Sequence, residues 1–157
     1  MKDADVLSRL RELGIELPPP SVPVASYVPI VVSGSLAFVA GQIPMIDGKI
    51  VHPGRLGENV SLEDGAAAAA TAAVQALSVI RNALGSFDGL RRIVQVTVYV
   101  AATPDFIEHP SVANGASERL IEVLGDAGKH ARAAVGMSSL PLGSSVEVQV
   151  TAEVDPG

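Results

Sequence analysis

Residues 146–154 read Val-Glu-Val-Gln-Val-Thr-Ala-Glu-Val, and this stretch decides the fold class. Side chains along a strand point alternately to opposite faces, so the segment has one apolar face and one polar face. Residues 94–100 repeat the pattern, with valine at every second position. Both segments predict half-buried strands in a sheet that is covered on one side.

Two helices are predicted to cover that sheet. Residues 61–64 (Ser-Leu-Glu-Asp) resemble a capping box, and the alanine-rich stretch that follows continues to Leu84, with Gly85 as its stop. A second helix is predicted over residues 110–124, with proline in its first turn and Gly125 just past its end.

The remaining elements complete the predicted order ββ(β)αβαββ. Residues 27–41 read as two strands joined by a turn at 33–35, residues 47–49 (Asp-Gly-Lys) as a tight turn, and residues 131–137 as a strand. The fold class is therefore α+β: a two-layer sandwich of a mixed sheet with two main helices on one face. The uncovered sheet face, where it is apolar, predicts an interface.

The first twenty residues read as an extension. An amphipathic helix is predicted over residues 3–13, with Val6, Leu10 and Leu13 on one face, and residues 18–20 are three prolines that form a stiff linker. We therefore divide the chain into a helix with its linker, residues 1–20, and a main domain, residues 21–157.

Composition excludes several classes of function. The chain of 157 residues has 17 acidic and 11 basic side chains, a formal net charge of −6 and 3% aromatic residues, which argues against a nucleic-acid binder. It has no cysteine, and its first residues lack the order of a signal peptide. The closest candidate for a membrane span, residues 65–80, is mostly alanine and is flanked by charged residues. We predict a soluble, cytoplasmic protein that binds neither nucleic acid nor a membrane.

Arg132 is the most informative single residue. It lies in the small, apolar stretch Ala-Arg-Ala-Ala-Val, residues 131–135. An arginine in such a strand either pairs with a structural carboxylate or binds an anionic ligand, because its planar fork matches a carboxylate. From the residue alone, an ion pair with a structural carboxylate is at least as good an explanation for Arg132 as an anionic ligand.

Glu147 is a second candidate, on the polar side of the last strand. If the last two strands formed a plain hairpin, Arg132 would lie opposite Ala152, and Glu147 would be roughly 16 Å further along the strand. A site shared between two subunits would remove that difficulty. The alternative interpretation of Glu147 is a solvated strand residue.

Four segments stand in a characteristic order along the chain, and Tyr27 precedes them. They are residues 40–44 (Ala-Gly-Gln-Ile-Pro), 114–117 (Asn-Gly-Ala-Ser), 129–136 (Lys-His-Ala-Arg-Ala-Ala-Val-Gly) and 140–148, which contains Leu-Pro and Val-Glu-Val. On these segments the chain resembles the Rid family (reactive intermediate deaminase, YjgF-like) over residues 22–155.

The resemblance implies a chorismate-mutase-like fold and a homotrimer with active sites between subunits. It also implies cofactor-free hydrolysis of enamine or imine intermediates, such as 2-aminoacrylate, to 2-keto acids and ammonia. The small-molecule partner would be a carboxylate. The residues it assigns to the site are Arg132 for the carboxylate, Glu147 for water, and Tyr27, Gly41, Asn114 and Ala134 for binding substrate.

The chain departs from the family pattern at several places. Ala134 stands where the best-known members carry a cysteine, the loop over residues 103–110 is longer, and the N-terminal helix is an addition. These departures suggest a divergent subgroup, so a non-catalytic trimer that binds small carboxylates is the alternative function. The family's older labels, ribonuclease and translation inhibitor, fit the acidic composition least well.

Overall fold

The computed structural model describes residues 1–20 and 26–156, and its main feature is one mixed sheet. Along the described chain the strands are β1 (Ile30–Ser33), β2 (Leu36–Gln42), β3 (Met45–Ile46), β4 (Lys49–Ile50), β5 (Leu90–Ala101), β6 (Ala131–Met137) and β7 (Val146–Val154). Five of them form the sheet in the order β1-β2-β7-β5-β6, and β3 with β4 forms a separate hairpin. Neighbouring strands are antiparallel except β5 and β6, which are parallel.

The helices are α1 (Asp3–Glu12), α2 (Leu62–Leu84) and α3 (His109–Leu124), with short 3-10 turns at Gly125–Gly128 and Pro141–Gly143. Both long helices pack on one face of the sheet, which confirms the predicted α+β class. The N-terminal helix ends one residue before the predicted end, α3 begins one residue before the predicted start, and β1 begins at Ile30 rather than at Tyr27.

The alternation of residues 146–154 is confirmed, because the four valines and Ala152 are all buried against the helices. Strand β5 follows the same rule only from Val96 onward. A β-bulge between Ile93 and Gln95 changes the phase, so Ile93 is buried and Val94 is 37% exposed. The prediction that Val94 shares the buried face was therefore wrong.

The last two strands do not form a hairpin, since β5 lies between β6 and β7. Arg132 is the register partner of Val96 on β5, and Ala152 pairs with Ala37 and Ile93 instead. The hairpin considered for Arg132 and Glu147 is thereby overturned. The crossover from β5 to the parallel β6 runs through α3, as parallel connections require.

The predicted limits of α2 are confirmed at both ends. The Ser61 hydroxyl oxygen accepts a hydrogen bond from the Asp64 N–H at 3.0 Å, and Gly85 has the left-handed conformation, with φ of 77°. By length and composition α2 could span a membrane, but 61% of its most apolar 18-residue window is buried in this fold, as expected of a core helix.

The first helix packs on the main core. Val6 and Leu10 are buried with the residues of the sandwich. Arg81 donates to both carboxylate oxygens of Asp3 at 2.9 and 3.0 Å, and Phe87 N–H donates to the same carboxylate at 2.9 Å. The hydrogen bond from Arg81 lowers the pKa of Asp3. The division at residue 20 stays a prediction, since residues 21–25 lie outside the described part.

The two long helices touch through backbone at Gly115 of α3. A Cβ at this position would overlap the carbonyl group of Ala66 on α2. In an open helix, replacing glycine with alanine stabilises by about 0.5–1 kcal/mol. At this contact the helices would have to separate.

We therefore expect Gly115→Ala to lower the free energy of unfolding by about 1–3 kcal/mol, because it overpacks a closed contact. Urea denaturation measures the change. Glu118→Ala, at an exposed position on α3, is the control and should have a small effect. A gain in stability for Gly115→Ala would contradict the close contact.

Candidate functional site

Arg132 lies on the edge strand β6, and its side chain extends to α3. One of its terminal nitrogens, Nη1, donates to Asn114 Oδ1 at 2.9 Å and to Ser117 Oγ at 3.1 Å. The other, Nη2, donates to the Pro110 carbonyl at 3.4 Å. All three partners are neutral, and the ion pairs among the described residues do not include Arg132. The described part of the chain therefore offers no structural carboxylate for this guanidinium.

A histidine and a serine that are not among the six predicted site residues belong to the same cluster. His130 Nε2 lies 2.9 Å from Ser117 Oγ, and its Nδ1 lies 2.6 Å from the Gly128 carbonyl oxygen. Burial lowers the pKa of His130, and the charge of Arg132 lowers it further. A signal was present in the sequence, since His130 is two residues before Arg132, directly ahead of the strand, and Ser117 is one helical turn from Asn114.

Ala134 lies on the same face of β6 as Arg132. It is the register partner of the buried Val98 and packs against the core. Gly136, two residues further, lies so close to His109 that a Cβ there would overlap the imidazole ring. The small residues of β6 thus let α3 approach the strand that carries Arg132.

Glu147 and Gly41 meet on the opposite, open face of the sheet. A β-bulge interrupts the pairing of β2 with β7 between Val39 and Gln42, and Gly41 lies in it. A Cβ at position 41 would overlap the Glu147 carboxylate, so the absence of a side chain at Gly41 makes room for that group. Burial raises the pKa of Glu147.

Tyr27 is near the same end of the sheet and is 53% exposed. The Ala40 N–H donates to the Pro29 carbonyl at 2.9 Å, which extends the β1–β2 pairing beyond the start of β1. Tyr27 precedes this pair by two residues and therefore lies beside the end of β2 that holds Gly41. Its ring is free to contact a ligand or a neighbouring subunit.

The six predicted site residues thus form two groups. Arg132, Asn114 and Ala134 lie between β6 and α3, whereas Tyr27, Gly41 and Glu147 lie at the open face. Glu147 of β7 is the register partner of Tyr99 of β5. Tyr99 in turn pairs with Val135 of β6, which is three residues from Arg132. Two strand spacings and three residue steps separate Glu147 from Arg132 by about 14 Å along the sheet, on opposite faces. One chain does not bring both groups into one small pocket.

Comparison with known proteins identifies a family. The chain matches, over residues 7–154, the family model described as "YjgF/chorismate_mutase-like, putative endoribonuclease". The match covers the whole sandwich and most of α1. It confirms the YjgF-like resemblance on which the site residues were chosen.

Three similar proteins have comparable lengths. Protein TCP17 of Trypanosoma cruzi is 40% identical over 151 residues, which cover 96% of this chain and 94% of that protein. The crystal structure of Atu1372, a protein with unknown function from Agrobacterium tumefaciens, is 42% identical with a TM-score of 0.92, covering 98% of this chain and 94% of that chain. A Shewanella oneidensis protein, described in the same endoribonuclease words as the family, is 32% identical with a TM-score of 0.92, covering 95% of this chain and 99% of that chain.

The raised pKa of Glu147 makes the free energy of unfolding depend on pH. Its raised pKa means that the folded chain holds this proton more tightly than the unfolded chain does. The stability that this bound proton adds is fully present below the pKa of Glu147 in the unfolded chain. It is lost as the pH rises through the pKa of Glu147 in the folded chain. Once it is ionised, Glu147 therefore lowers the free energy of unfolding.

We expect Glu147→Gln to raise the Tm at pH 7, and the difference from wild type to shrink as the pH falls through the raised pKa of Glu147. Thermal melts between pH 4 and pH 8 measure the trend. Glu153→Gln removes the same charge from the same face of β7 and is the matched control. A difference that does not change with pH would show that the charge of Glu147 is not penalised by burial.

Proposed function

The chain belongs to the YjgF/chorismate mutase-like family, and on that premise we propose that it hydrolyses enamine or imine derivatives of amino acids to 2-keto acids and ammonia. The observation that carries the proposal is the Arg132 guanidinium, which is held at a sheet edge by neutral acceptors alone. A substrate carboxylate would supply the missing negative charge through two parallel hydrogen bonds.

The proposal requires that the two groups meet across a subunit interface. In a cyclic trimer, the Arg132 group of one subunit would face the Glu147 group of its neighbour. The open face of the sheet carries apolar residues suited to such an interface. They are Val31, Phe38, Val135 and Met137, exposed by 51, 44, 39 and 38%.

The chemistry asks for a positioned water and a proton carrier. An enamine first becomes an imine, whose C=N carbon is attacked by water, and Glu147 accepts a proton from that water. Glu147 returns this proton to the nitrogen, which gives a neutral carbinolamine. The hydroxyl proton of the carbinolamine is then transferred through Glu147 to the nitrogen, the C–N bond breaks, and ammonia leaves as the carbonyl of the 2-keto acid forms. A carboxyl whose pKa is raised by burial accepts a proton more readily than an ordinary carboxylate does, and it can return that proton in the next step.

The other predicted residues would shape the cleft. Tyr27 would supply an aromatic wall beside Gly41, and the small Ala134 would leave room next to the carboxylate. Asn114 has a different part in the described chain, because its side-chain oxygen holds Arg132. Its contribution would therefore be to orient the arginine, with any contact to substrate made through its amide nitrogen.

The endoribonuclease description of the relatives is a separate candidate that no observation on this chain favours. RNA affinity depends on basic side chains that neutralise phosphates, and this chain has a net charge of −6. Tight, salt-sensitive RNA binding would reverse this ranking.

The first test is clearance of an imine by wild type and by Arg132→Ala. An amino-acid oxidase generates the imine, and semicarbazide trapping reports how much survives. We expect wild type to clear it and Arg132→Ala to lose at least about 100-fold in kcat/KM, because two hydrogen bonds to a charged partner are worth about 1.5–3 kcal/mol each. Arg91→Ala, an exposed position on β5, is the matched control.

Arg132→Lys refines the result, because lysine keeps the charge but loses the planar fork. A large loss of kcat/KM in this variant would indicate that Arg132 binds the substrate carboxylate through two parallel hydrogen bonds. Equal clearance with and without the wild-type protein, for several amino acids, would overturn the deaminase proposal. In that case carboxylate-dependent rises in Tm without turnover would indicate a non-catalytic binder.

A second test asks whether the Arg132 group and the Glu147 group of one active site come from different subunits. Arg132→Ala and Glu147→Gln should each be inactive, yet an equal mixture that has exchanged subunits should recover about a quarter of wild-type activity, since one interface in four then joins two intact halves. Mixing without unfolding and refolding is the control. A mixture that exchanges subunits and stays inactive would contradict the shared site.

A further inference from the structure

A chain of hydrogen bonds leads from the backbone to Arg132. It runs from the Gly128 carbonyl to His130 Nδ1 (2.6 Å), from His130 Nε2 to Ser117 Oγ (2.9 Å), and from Ser117 Oγ to Arg132 Nη1 (3.1 Å). Gly128 belongs to the 3-10 turn, His130 directly precedes β6, Ser117 lies on α3, and Arg132 lies on β6.

The direction of these bonds follows from the donors available. A carbonyl oxygen only accepts, so His130 Nδ1 carries a proton and donates to Gly128. In the neutral ring Nε2 is then an acceptor, and the Ser117 hydroxyl must donate to it. A lone pair of Ser117 Oγ is consequently turned to Arg132, which only donates. The lowered pKa of His130 favours this neutral form.

The same bonds fix which edge of the guanidinium is available. Arg132 has five N–H donors. Both hydrogens of Nη1 are used, by Asn114 and by Ser117, and one hydrogen of Nη2 is directed at Pro110. The Nε hydrogen and the second Nη2 hydrogen make no bond to a described residue. These two donors form one side of the planar fork, the geometry that a carboxylate takes.

We propose that His130 and Ser117 are positioning residues that lock the guanidinium of Arg132 with its Nε/Nη2 side toward the carboxylate of the ligand. The role rests on the proposed function, since it supposes a carboxylate ligand. Arg132 is an exposed side chain on an edge strand, so without these contacts it would lose more side-chain entropy on binding.

His130 and Ser117 do not touch the ligand in this scheme. Their substitution should weaken carboxylate binding while leaving the water chemistry at Glu147 in place. A purely structural role would instead change the Tm and leave the affinity of the folded protein unaltered. The direction of the bonds adds a spectroscopic signature, a neutral His130 protonated on Nδ1.

The test is the Kd of 2-oxobutanoate, measured by calorimetry on the full chain. Ser117→Ala should raise the Kd roughly 5- to 10-fold, because the released guanidinium of Arg132 then loses more side-chain entropy on binding. His130→Asn keeps a donor at the position of Nδ1 but not the acceptor for Ser117, and should have a similar effect. His130→Gln places an amide oxygen near the position of Nε2 and should stay within about 2-fold of wild type.

Ser8→Ala and His52→Gln are the control variants, since Ser8 donates to Glu12 and His52 pairs with Asp64, both outside this cluster. Proton-detected ¹⁵N NMR of the wild-type histidines needs no variant. It should show His130 protonated on Nδ1 and unprotonated on Nε2 at pH 7. In kinetics, Ser117→Ala should raise KM more than it lowers kcat.

Three results would overturn the proposal: an unchanged Kd in both Ser117→Ala and His130→Asn, the opposite tautomer of His130, or no binding of 2-oxobutanoate by wild type. Failure of the proposed function gives a different result. If only the proposed function is wrong, wild type would bind 2-oxobutanoate through Arg132 and the variants would change the Kd as predicted, but wild type would not accelerate imine hydrolysis.

Discussion

The candidate site depends on where β7 lies in the sheet. This strand pairs with β2 on one side and β5 on the other, and its valines are buried against the helices. Because neighbouring side chains of a strand point to opposite faces, burying Val146 and Val148 forces Glu147 onto the open face. The bulge in β2 then places Gly41 against it. The hydrophobic core thus fixes the position of the acid.

The same logic separates the acid from the arginine. Strand β6 is parallel to β5, and the register that places Arg132 beside the buried Val96 directs its side chain to α3. Each half of the site is therefore well supported by its own elements, and neither half is complete alone. A division of this kind makes assembly a structural requirement of the chemistry that we propose.

Local signals in the sequence were sufficient for most of the fold. Ser61 and Gly85 mark the ends of α2 because caps depend on a few neighbouring residues, and the valine alternation marks β7 because burial has a period of two. The strand order was not available, since the parallel pairing of β5 and β6 depends on contacts across α3. Asn114 was among the predicted site residues, but the two other members of the Arg132 cluster, Ser117 and His130, were not, for the same reason. Ser117 and His130 come together only because the turn at Gly125–Gly128 brings β6 back beside α3.

The alanine-rich α2 has a further consequence, which concerns entropy. Ala68, Ala69, Ala72, Ala73 and Ala76 of this helix are all fully buried, and a buried alanine has no rotamers to lose. Packing this surface therefore costs almost no side-chain freedom, while its short side chains bring the helix backbone close to the sheet. There are few side-chain motions by which such a contact can loosen gradually. The helix that supports both halves of the site should stay rigid until the domain melts as a unit.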